Sequence, residues 1–253
     1  MSGGCWALDL DGVVWLAGRP IAGAPQAIAR LRRAGHRVVF VTNNSSPTVA
    51  DHVATLGAAG IEADPDDVLT SAQAAAELLS PGERVHVLGG PGVVEALEAR
   101  GCVVARDDDV DAVVVGINKD FTYATLGAAA TAVRAGARFI GTNDDPTYPT
   151  PSGLLPGAGT IVAAVATASG ATPTFAGKPY APMAALARRR VGDVAVMVGD
   201  RPTTDGLMAR EMGACFALVL SGVTGAAAAA ALDPPADIVA DDLAAAVTAW
   251  AAA

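Results

Sequence analysis

The stretch Ala7-Leu8-Asp9-Leu10-Asp11-Gly12 constrains this chain more than any other. An apolar run beginning at Cys5 has the character of a strand buried on both faces of a parallel sheet, and it stops on two aspartates spaced i, i+2 and followed by glycine. Alternation along an ideal strand sends both carboxylates to one side. Open α/β sheets bind their ligands at the carboxyl ends of strands. Two neighbouring carboxylates there repel and raise each other's proton affinity unless positive charge lies between them. A divalent cation is the simplest source of that charge.

The rest of the chain suits such a sheet. Its 253 residues allow one large domain or two modest ones, and 52% hydrophobic against 17% charged residues matches central strands covered on both faces. The longest apolar stretches are alanine-rich or broken by Gly and Pro, and no basic start precedes an apolar signal core, so the expectation is a soluble, cytoplasmic protein. A net charge of −9 argues against nucleic acid and anionic membrane as partners, though not against an anionic small molecule, because a bound metal inverts the local field. Cys5, Cys102 and Cys215 lie far apart in apolar runs and read as reduced, buried thiols; His36, His52 and His86 are equally scattered and read as ordinary packed or surface residues.

After a helix over 24–34, residues 37–42 read as a second buried strand, and Thr42-Asn43-Asn44-Ser45-Ser46 follows it, with Pro47 opening the next helix. Hydroxyls, amides and backbone N–H groups at such a turn suit a phosphate. They suit a plain helix N-cap equally, and the residues alone leave both readings open. Asn43 and Asn44 also fit the glycosylation sequon, which carries no weight without a secretory signal. A helix over 71–79 leads to the turn cluster Ser80-Pro81-Gly82-Glu83, taken as a domain boundary.

Beyond it the βα alternation repeats, with strands expected at 84–88, 102–105, 112–116 and 138–141 and helices at 93–100, 122–135 and 158–169. Gly89-Gly90-Pro91-Gly92 lacks the third glycine of a dinucleotide loop and reads as a turn; the acidic run 106–111 lacks the Gly and distal Glu of a calcium loop and reads as a solvated connection. Thr142-Asn143-Asp144-Asp145-Pro146 follows an expected strand and is either an Asx turn or a loop that reads a polar substrate. Near 174 the chain returns to its first domain. Gly177-Lys178-Pro179 then supplies one of few basic residues, and the run from Val194 ends on Gly199-Asp200, with Asp205 close behind.

A metal alone accounts for the acids at these strand ends but not for a hydroxyl, an amide and a lysine. A phosphate accounts for all of them. A carboxylate that attacks phosphorus splits one difficult displacement into two easier ones. Attack by an anion on an anion needs Mg²⁺ and a lysine as neutralising charge, and a second carboxyl beside the first can alternate between acid and base. Asp11 has that position.

Asp9-Leu10-Asp11-Gly12-Val13, Val41-Thr42-Asn43-Asn44, Gly177-Lys178-Pro179 and Gly199-Asp200-Arg201 through Thr204-Asp205 resemble the four ordered motifs of the haloacid dehalogenase superfamily. The segments Asp120-Phe-Thr-Tyr-Ala-Thr-Leu, Ala137-Arg-Phe-Ile-Gly-Thr-Asn-Asp, Leu155-Pro-Gly-Ala-Gly and Leu220-Ser-Gly-Val-Thr are similar to the NagD-like class IIA phosphatases, a group with p-nitrophenyl, phosphoglycolate and pyridoxal phosphate phosphatases among its members.

The resemblance implies an α/β fold, a Rossmann-like, doubly wound parallel-sheet core (1–80 and 174–253) with an inserted α/β cap of the C2 type (81–173). It implies Asp9 as nucleophile and Asp11 as general acid/base. Gly12, Thr42, Asn43 and Lys178 would hold the phosphoryl group, with Asn143 and Asp144 of the cap contacting substrate. Mg²⁺ would be held by the Asp9 carboxylate, the Asp11 backbone carbonyl and Asp200, with Asp205 in the same acidic set. It further implies a small-molecule phosphate ester as substrate and a homodimer paired through the cap. Two departures stand out. Ile117-Asn118-Lys119-Asp120 sits where relatives often carry Asp-Arg, and Gly206 replaces an apolar residue, which is expected to loosen its loop. A phosphotransferase or mutase using the same intermediate, or a phospho-ligand sensor without turnover, remains open at this level.

Overall fold

Every side chain of the first strand is buried, Cys5 and Ala7 in one apolar layer and Trp6 and Leu8 in the other, as a strand covered on both faces requires. The computed structural model describes residues 3–16, 19–105, 109–150 and 153–252. The chain begins with β1 (Cys5–Leu8), β2 (Trp15–Leu16), β3 (Arg19–Pro20), α1 (Ala24–Arg33), β4 (Arg37–Thr42), α2 (Val49–Ala58), β5 (Val68–Thr70) and α3 (Ser71–Ala76). Its middle supplies β6 (Arg84–Leu88), α4 (Pro91–Ala99), β7 (Val103–Ala105), β8 (Ala112–Val115), α5 (Tyr123–Arg134), β9 (Arg138–Gly141), β10 (Thr147–Thr150), β11 (Gly153–Pro156), α6 (Ala158–Ser169) and β12 (Thr174–Phe175). Its last part supplies α7 (Ala181–Val191), β13 (Val194–Gly199), α8 (Leu207–Met212), β14 (Cys215–Val219), α9 (Ala226–Ala230), β15 (Ile238–Ala240) and α10 (Leu243–Ala252).

Six strands form a parallel sheet in the order β15-β14-β13-β1-β4-β5. The chain winds outward from β1 through β4 to β5, then returns to the other side of β1 for β13, β14 and β15. That reversal makes the carboxyl end of β1 a topological switch point, where a crevice opens between strands that diverge in connection. Register places Leu8 beside both Phe40 and Val198, so the residues that leave β1, β4 and β13 emerge side by side. A second parallel sheet, β12-β9-β8-β6-β7, is built from the middle of the chain. The architecture is therefore a Rossmann-like core joined to a second α/β layer. Among the described residues no helix is long and apolar enough to cross a membrane.

Several local expectations change. β12 pairs with β9, so the second sheet takes its last strand from beyond residue 173, the boundary read from sequence. α2 starts after Thr48 rather than at Pro47, because Thr48 and Asp51 form a reciprocal capping box (Asp51 N to Thr48 Oγ1 3.1 Å, Thr48 N to Asp51 Oδ2 3.0 Å). The antiparallel ribbons β2/β3 and β10/β11 were not foreseen; two-residue strands and the prolines at 149 and 156 hide them. Within the acidic run 106–111, residues 106–108 lie outside the described residues.

The Gly89 to Gly92 stretch is more than a turn. Gly92 opens α4 against the backbone of the loop after β4: its N–H donates to Ser46 O at 2.9 Å, and a Cβ at Gly92 would fall 2.0 Å from Pro47 O. Two main chains meet there with no room for a methyl group. Glu95 extends the contact, accepting from Val49 N at the start of α2 at 2.8 Å. The apolar layer of Cys5, Ala7, Val39, Val41 and Leu69 continues without a break through α3 and α4 to Val85, Ala112 and Val114 of the second sheet.

Gly→Ala in a helix ordinarily stabilises by about 0.5–1 kcal/mol. Gly127, exposed in α5 with nothing within 4 Å of an added Cβ, should follow that rule. Gly92→Ala should instead destabilise by about 1–3 kcal/mol, because backbone must move to admit it. Urea unfolding of both variants checks the opposite signs.

Candidate active site

Two strand ends and the helical turn 202–206 after β13 converge on a single ammonium group. Lys178, 1% exposed, places Nζ 2.8 Å from Asp9 Oδ1, 2.7 Å from Asp205 Oδ1 and 2.9 Å from Val41 O. Three acceptors match its three protons. Burial alone would strip the charge from Lys178, but Asp205 and Asp9 outweigh it and hold its proton affinity above that of a free lysine. Asp9 also accepts from Leu10 N at 2.8 Å through the same Oδ1. Burial, then the like charges of Asp205 and Asp200, push the Asp9 carboxyl well above the usual carboxylate range, against the pull of Lys178.

Asp200 leaves β13 beside Asp9. Its Oδ2 accepts from Val223 N at 2.7 Å and its backbone carbonyl accepts from Thr224 Oγ1 at 2.5 Å. Its Oδ1 is buried and has no hydrogen-bond partner among the described residues. Gly12, at φ +83°, lets the chain pass so close that a Cβ would sit 2.6 Å from Asp200 Cγ. Burial and then Asp205 raise the Asp200 carboxyl to about 6. Oxygens from Asp9, Asp200 and Asp205 lie within 4.8 Å of one another. Hard carboxylate oxygens, one of them orphaned in the interior, fit a hard divalent cation. Asp205 is the least available of the three, since Oδ1 holds Lys178 and Oδ2 accepts from Arg201 N at 3.1 Å. Gly206, where looseness was expected, is buried, and a Cβ there would fall 2.9 Å from the Phe216 ring, so the position is closely packed.

Thr42 Oγ1 accepts from Asn44 N at 3.0 Å and so shapes the turn after β4. The Asn43 side chain is fully engaged, Oδ1 accepting from Lys178 N at 2.8 Å and Nδ2 donating to Lys178 O at 3.0 Å and to Asp145 Oδ2 at 2.9 Å. Asp145 arrives from the second sheet, together with Asn143, whose Nδ2 donates to Asn43 O at 2.7 Å. Ser45 Oγ and Thr142 Oγ1 meet across the same junction at 3.0 Å.

A cavity of about 340 Å³ opens at this point, lined by Asp9, Asp11, Gly12, Thr42, Asn43, Lys178 and Asp200 and, from the second sheet, by Asn143, Asp145, Thr147 and Tyr148. Asp144 is not part of the lining. It turns outward and accepts from Tyr180 Oη at 2.6 Å, and its neighbour Asp145 is the aspartate of this loop that lines the cavity. Asn143 Oδ1 accepts from Asp145 N at 3.1 Å, an Asx turn that rotates one aspartate in and its neighbour out. Burial raises the Asp145 carboxyl above its ordinary value, with Asn43 opposing. Asp11 is raised by burial too, opposed by the Trp15 indole N–H, 3.2 Å from its Oδ1. Trp15 went unmarked as a site residue by sequence, while Asp145 and Arg201 stood only inside a loop and a motif read there; which residue of such a stretch reaches a cavity is not encoded in local pattern.

A family model described as haloacid dehalogenase-like hydrolase matches residues 6–103, and a second, HAD-hydrolase-like, matches 175–246. A D-glycerol 3-phosphate phosphatase of Mycobacterium tuberculosis is 41% identical over 230 residues, covering 88% of this chain; the chain spans 64% of that relative's length. An acid sugar phosphatase of Staphylococcus aureus is 38% identical over 87% of each chain. A crystal structure of the M. tuberculosis glycerol phosphate phosphatase in complex with magnesium superimposes with a TM-score of 0.90 at 38% identity, over 97% of this chain and 76% of that one.

The folded-state value of Asp200 lies above its ordinary 3.8, so its contribution to stability is complete below that pH and is lost as pH rises through about 6. Metal-free protein should therefore melt at a lower temperature at pH 7 than at pH 5. Mg²⁺ should raise Tm more at pH 7, where the cluster is ionised, than at pH 5. Equal increments at both pH values in a thermal scan, with EDTA as reference, would count against a cation site at Asp200.

Proposed function

The chain belongs to the haloacid dehalogenase-like hydrolases, in their class IIA, NagD-like branch, and from that premise we propose that it hydrolyses small phosphoric monoesters through an aspartyl-phosphate on Asp9. The observation that carries this reading is the buried triad of Lys178 with Asp9 and Asp205, beside an Asp200 oxygen that has no partner. Lys178 and Leu10 N fix Asp9 Oδ1, which leaves Oδ2 as the attacking atom. Asp9, Asp200 and the Asp11 backbone carbonyl are the groups that would hold Mg²⁺, which when bound supplies positive charge between an anionic nucleophile and an anionic ester.

As Asp9 attacks, the bond from phosphorus to the leaving oxygen breaks and the Asp11 carboxyl gives that oxygen its proton. In the second step Asp11, now a carboxylate, takes a proton from the water that cleaves the Asp9–phosphorus ester. A raised proton affinity at Asp11 suits the first role. Thr42 and the turn at Asn43 cradle the phosphoryl oxygens, and Lys178, its three protons taken by Asp9, Asp205 and Val41 O, contributes its positive charge beside them. Because the Asn43 amide is already engaged, its contribution to phosphate comes through the backbone. Residues 81–175 act as the cap over residues 1–80 and 176–253.

The cap side of the cavity presents Asp145, Asn143 and Thr147, and a carboxylate there favours hydroxyl-bearing leaving groups and repels acidic ones. The relatives named D-glycerol 3-phosphate phosphatase and acid sugar phosphatase are in keeping with a polyol or sugar leaving group. The substrate class proposed is thus a small polyol or sugar phosphate, with phosphoglycolate disfavoured.

Phosphate release from glycerol 3-phosphate, sugar phosphates, phosphoglycolate and p-nitrophenyl phosphate tests the reading, first with Mg²⁺ and then with EDTA. Metal-dependent release should be fastest with the polyol esters. Asp9→Asn should lower turnover roughly 10³-fold or more while the protein stays folded. Retained Mg²⁺-dependent turnover in that variant would overturn Asp9 as nucleophile.

A further inference from the structure

We infer that Trp15 is a positioning residue for proton transfer, its indole N–H fixing which oxygen of Asp11 carries the proton. The inference rests on the reading of Asp11 as the group that protonates the leaving oxygen. Its own basis is a contact that no motif required. Trp15 Nε1 donates to Asp11 Oδ1 at 3.2 Å, and among the described residues this is the one hydrogen bond made to the Asp11 carboxyl.

The two aspartates of the opening strand end are held in opposite ways. Asp9 is gripped by an ammonium group and a backbone N–H, both on Oδ1, which favours its charged form. Among the described residues no cation is in hydrogen-bond contact with Asp11. Its partner is a neutral group that donates and cannot accept. An indole N–H can therefore stay bound to Oδ1 whether Asp11 is a carboxylate or a carboxylic acid, provided the proton resides on Oδ2. A lysine in the same place would oppose the protonated form. An acceptor would compete for the proton. The indole does neither, so it orients the carboxyl through both halves of the reaction and directs Oδ2 to the leaving oxygen and then to water.

The backbone gives Trp15 little freedom to leave. Val14 N and Trp15 N donate to Leu10 O at 2.9 and 3.1 Å, and Gly12 N donates to Trp15 O, so the chain from 10 to 15 is wound around the residue that precedes Asp11. Trp15 then pairs with Pro20 across the β2/β3 ribbon. Trp15 is 7% exposed and lines the cavity. An apolar side chain would fill that space equally well, which makes the N–H the feature to test.

Two variants separate the hydrogen bond from the packing: Trp15→Phe, and replacement of Trp15 by β-(3-benzothienyl)alanine, which keeps the bicyclic shape and substitutes sulfur for N–H. The readout is kcat/KM on esters that differ in their need for a proton. Nitrophenolate leaves unaided, whereas the alkoxides of glycerol 3-phosphate and glucose 6-phosphate do not. Both variants should lose roughly tenfold or more on the alkyl esters and less than about threefold on p-nitrophenyl phosphate, a smaller version of the selective loss expected of Asp11→Asn. Equal losses on both ester types, or no loss with the sulfur isostere, would overturn the inference and leave Trp15 as packing. If Asp11→Asn itself shows no selectivity between the esters, the reading of Asp11 fails, and the role of Trp15 falls with it.

Discussion

The site depends on one buried charge. An ammonium group cannot be taken out of water without a large desolvation penalty, and removal of one partner from a buried ion pair costs about 3–5 kcal/mol. Lys178 is nevertheless almost wholly enclosed, and Asp9 and the Val41 carbonyl around it come from the ends of β1 and β4, Asp205 from the helical turn 202–206 that follows β13. The lysine ties these segments together at the sheet's switch point. The same contacts consume Asp9 Oδ1 and Asp205 Oδ1 and leave Asp200 Oδ1 unanswered. One cation among three carboxylates leaves the interior short of positive charge, and a site in that condition is prepared for a second cation and for the anion it accompanies.

A second level of organisation lies between the two sheets. The turn after β4 is shaped less by its own segment than by residues from far along the chain: Asp145 and Asn143 bind Asn43, Thr142 meets Ser45, and Gly92 docks on Ser46 and Pro47. Residues of the second sheet's segment therefore set the geometry of the turn after β4. The Asn43 amide joins Asp145 on one side to the Lys178 backbone on the other, so a contact across the two sheets is one residue away from the buried ammonium group.

Much of this was legible in the sequence because chemistry and periodicity coincide at strand ends. Asp9, Asp11, Thr42, Asp200 and Lys178 each stand where a buried apolar run stops or where a rare basic residue follows a glycine, and the structure gathers them around one cavity. What was hidden obeys other rules. Asp144 and Asp145 are adjacent and identical in type; an Asx turn made by Asn143 decides which one faces in, and no period reports it. Trp15 sits in an apolar run where a tryptophan reads as core, and its N–H matters only because the chain doubles back on Leu10. The β10/β11 ribbon carries prolines opposite Leu154 and Thr147, so its strands look like loops. The capping box of Thr48 and Asp51 outcompeted Pro47 for the start of α2, a choice between two favourable signals.

The apolar layer that passes from β1 and β4 through α3 and α4 into β6 and β8 bears on how the molecule comes apart. Domains separated by a polar or hydrated seam open independently, each with its own free energy. Here no such seam separates Leu69 and Val41 from Val85 and Val114. Exposing one sheet strips apolar cover from the other, which couples the two into a single cooperative unit. Amide hydrogens in β1 and in β8, more than 100 residues apart in sequence, are therefore expected to share their slowest exchange process, that of global unfolding.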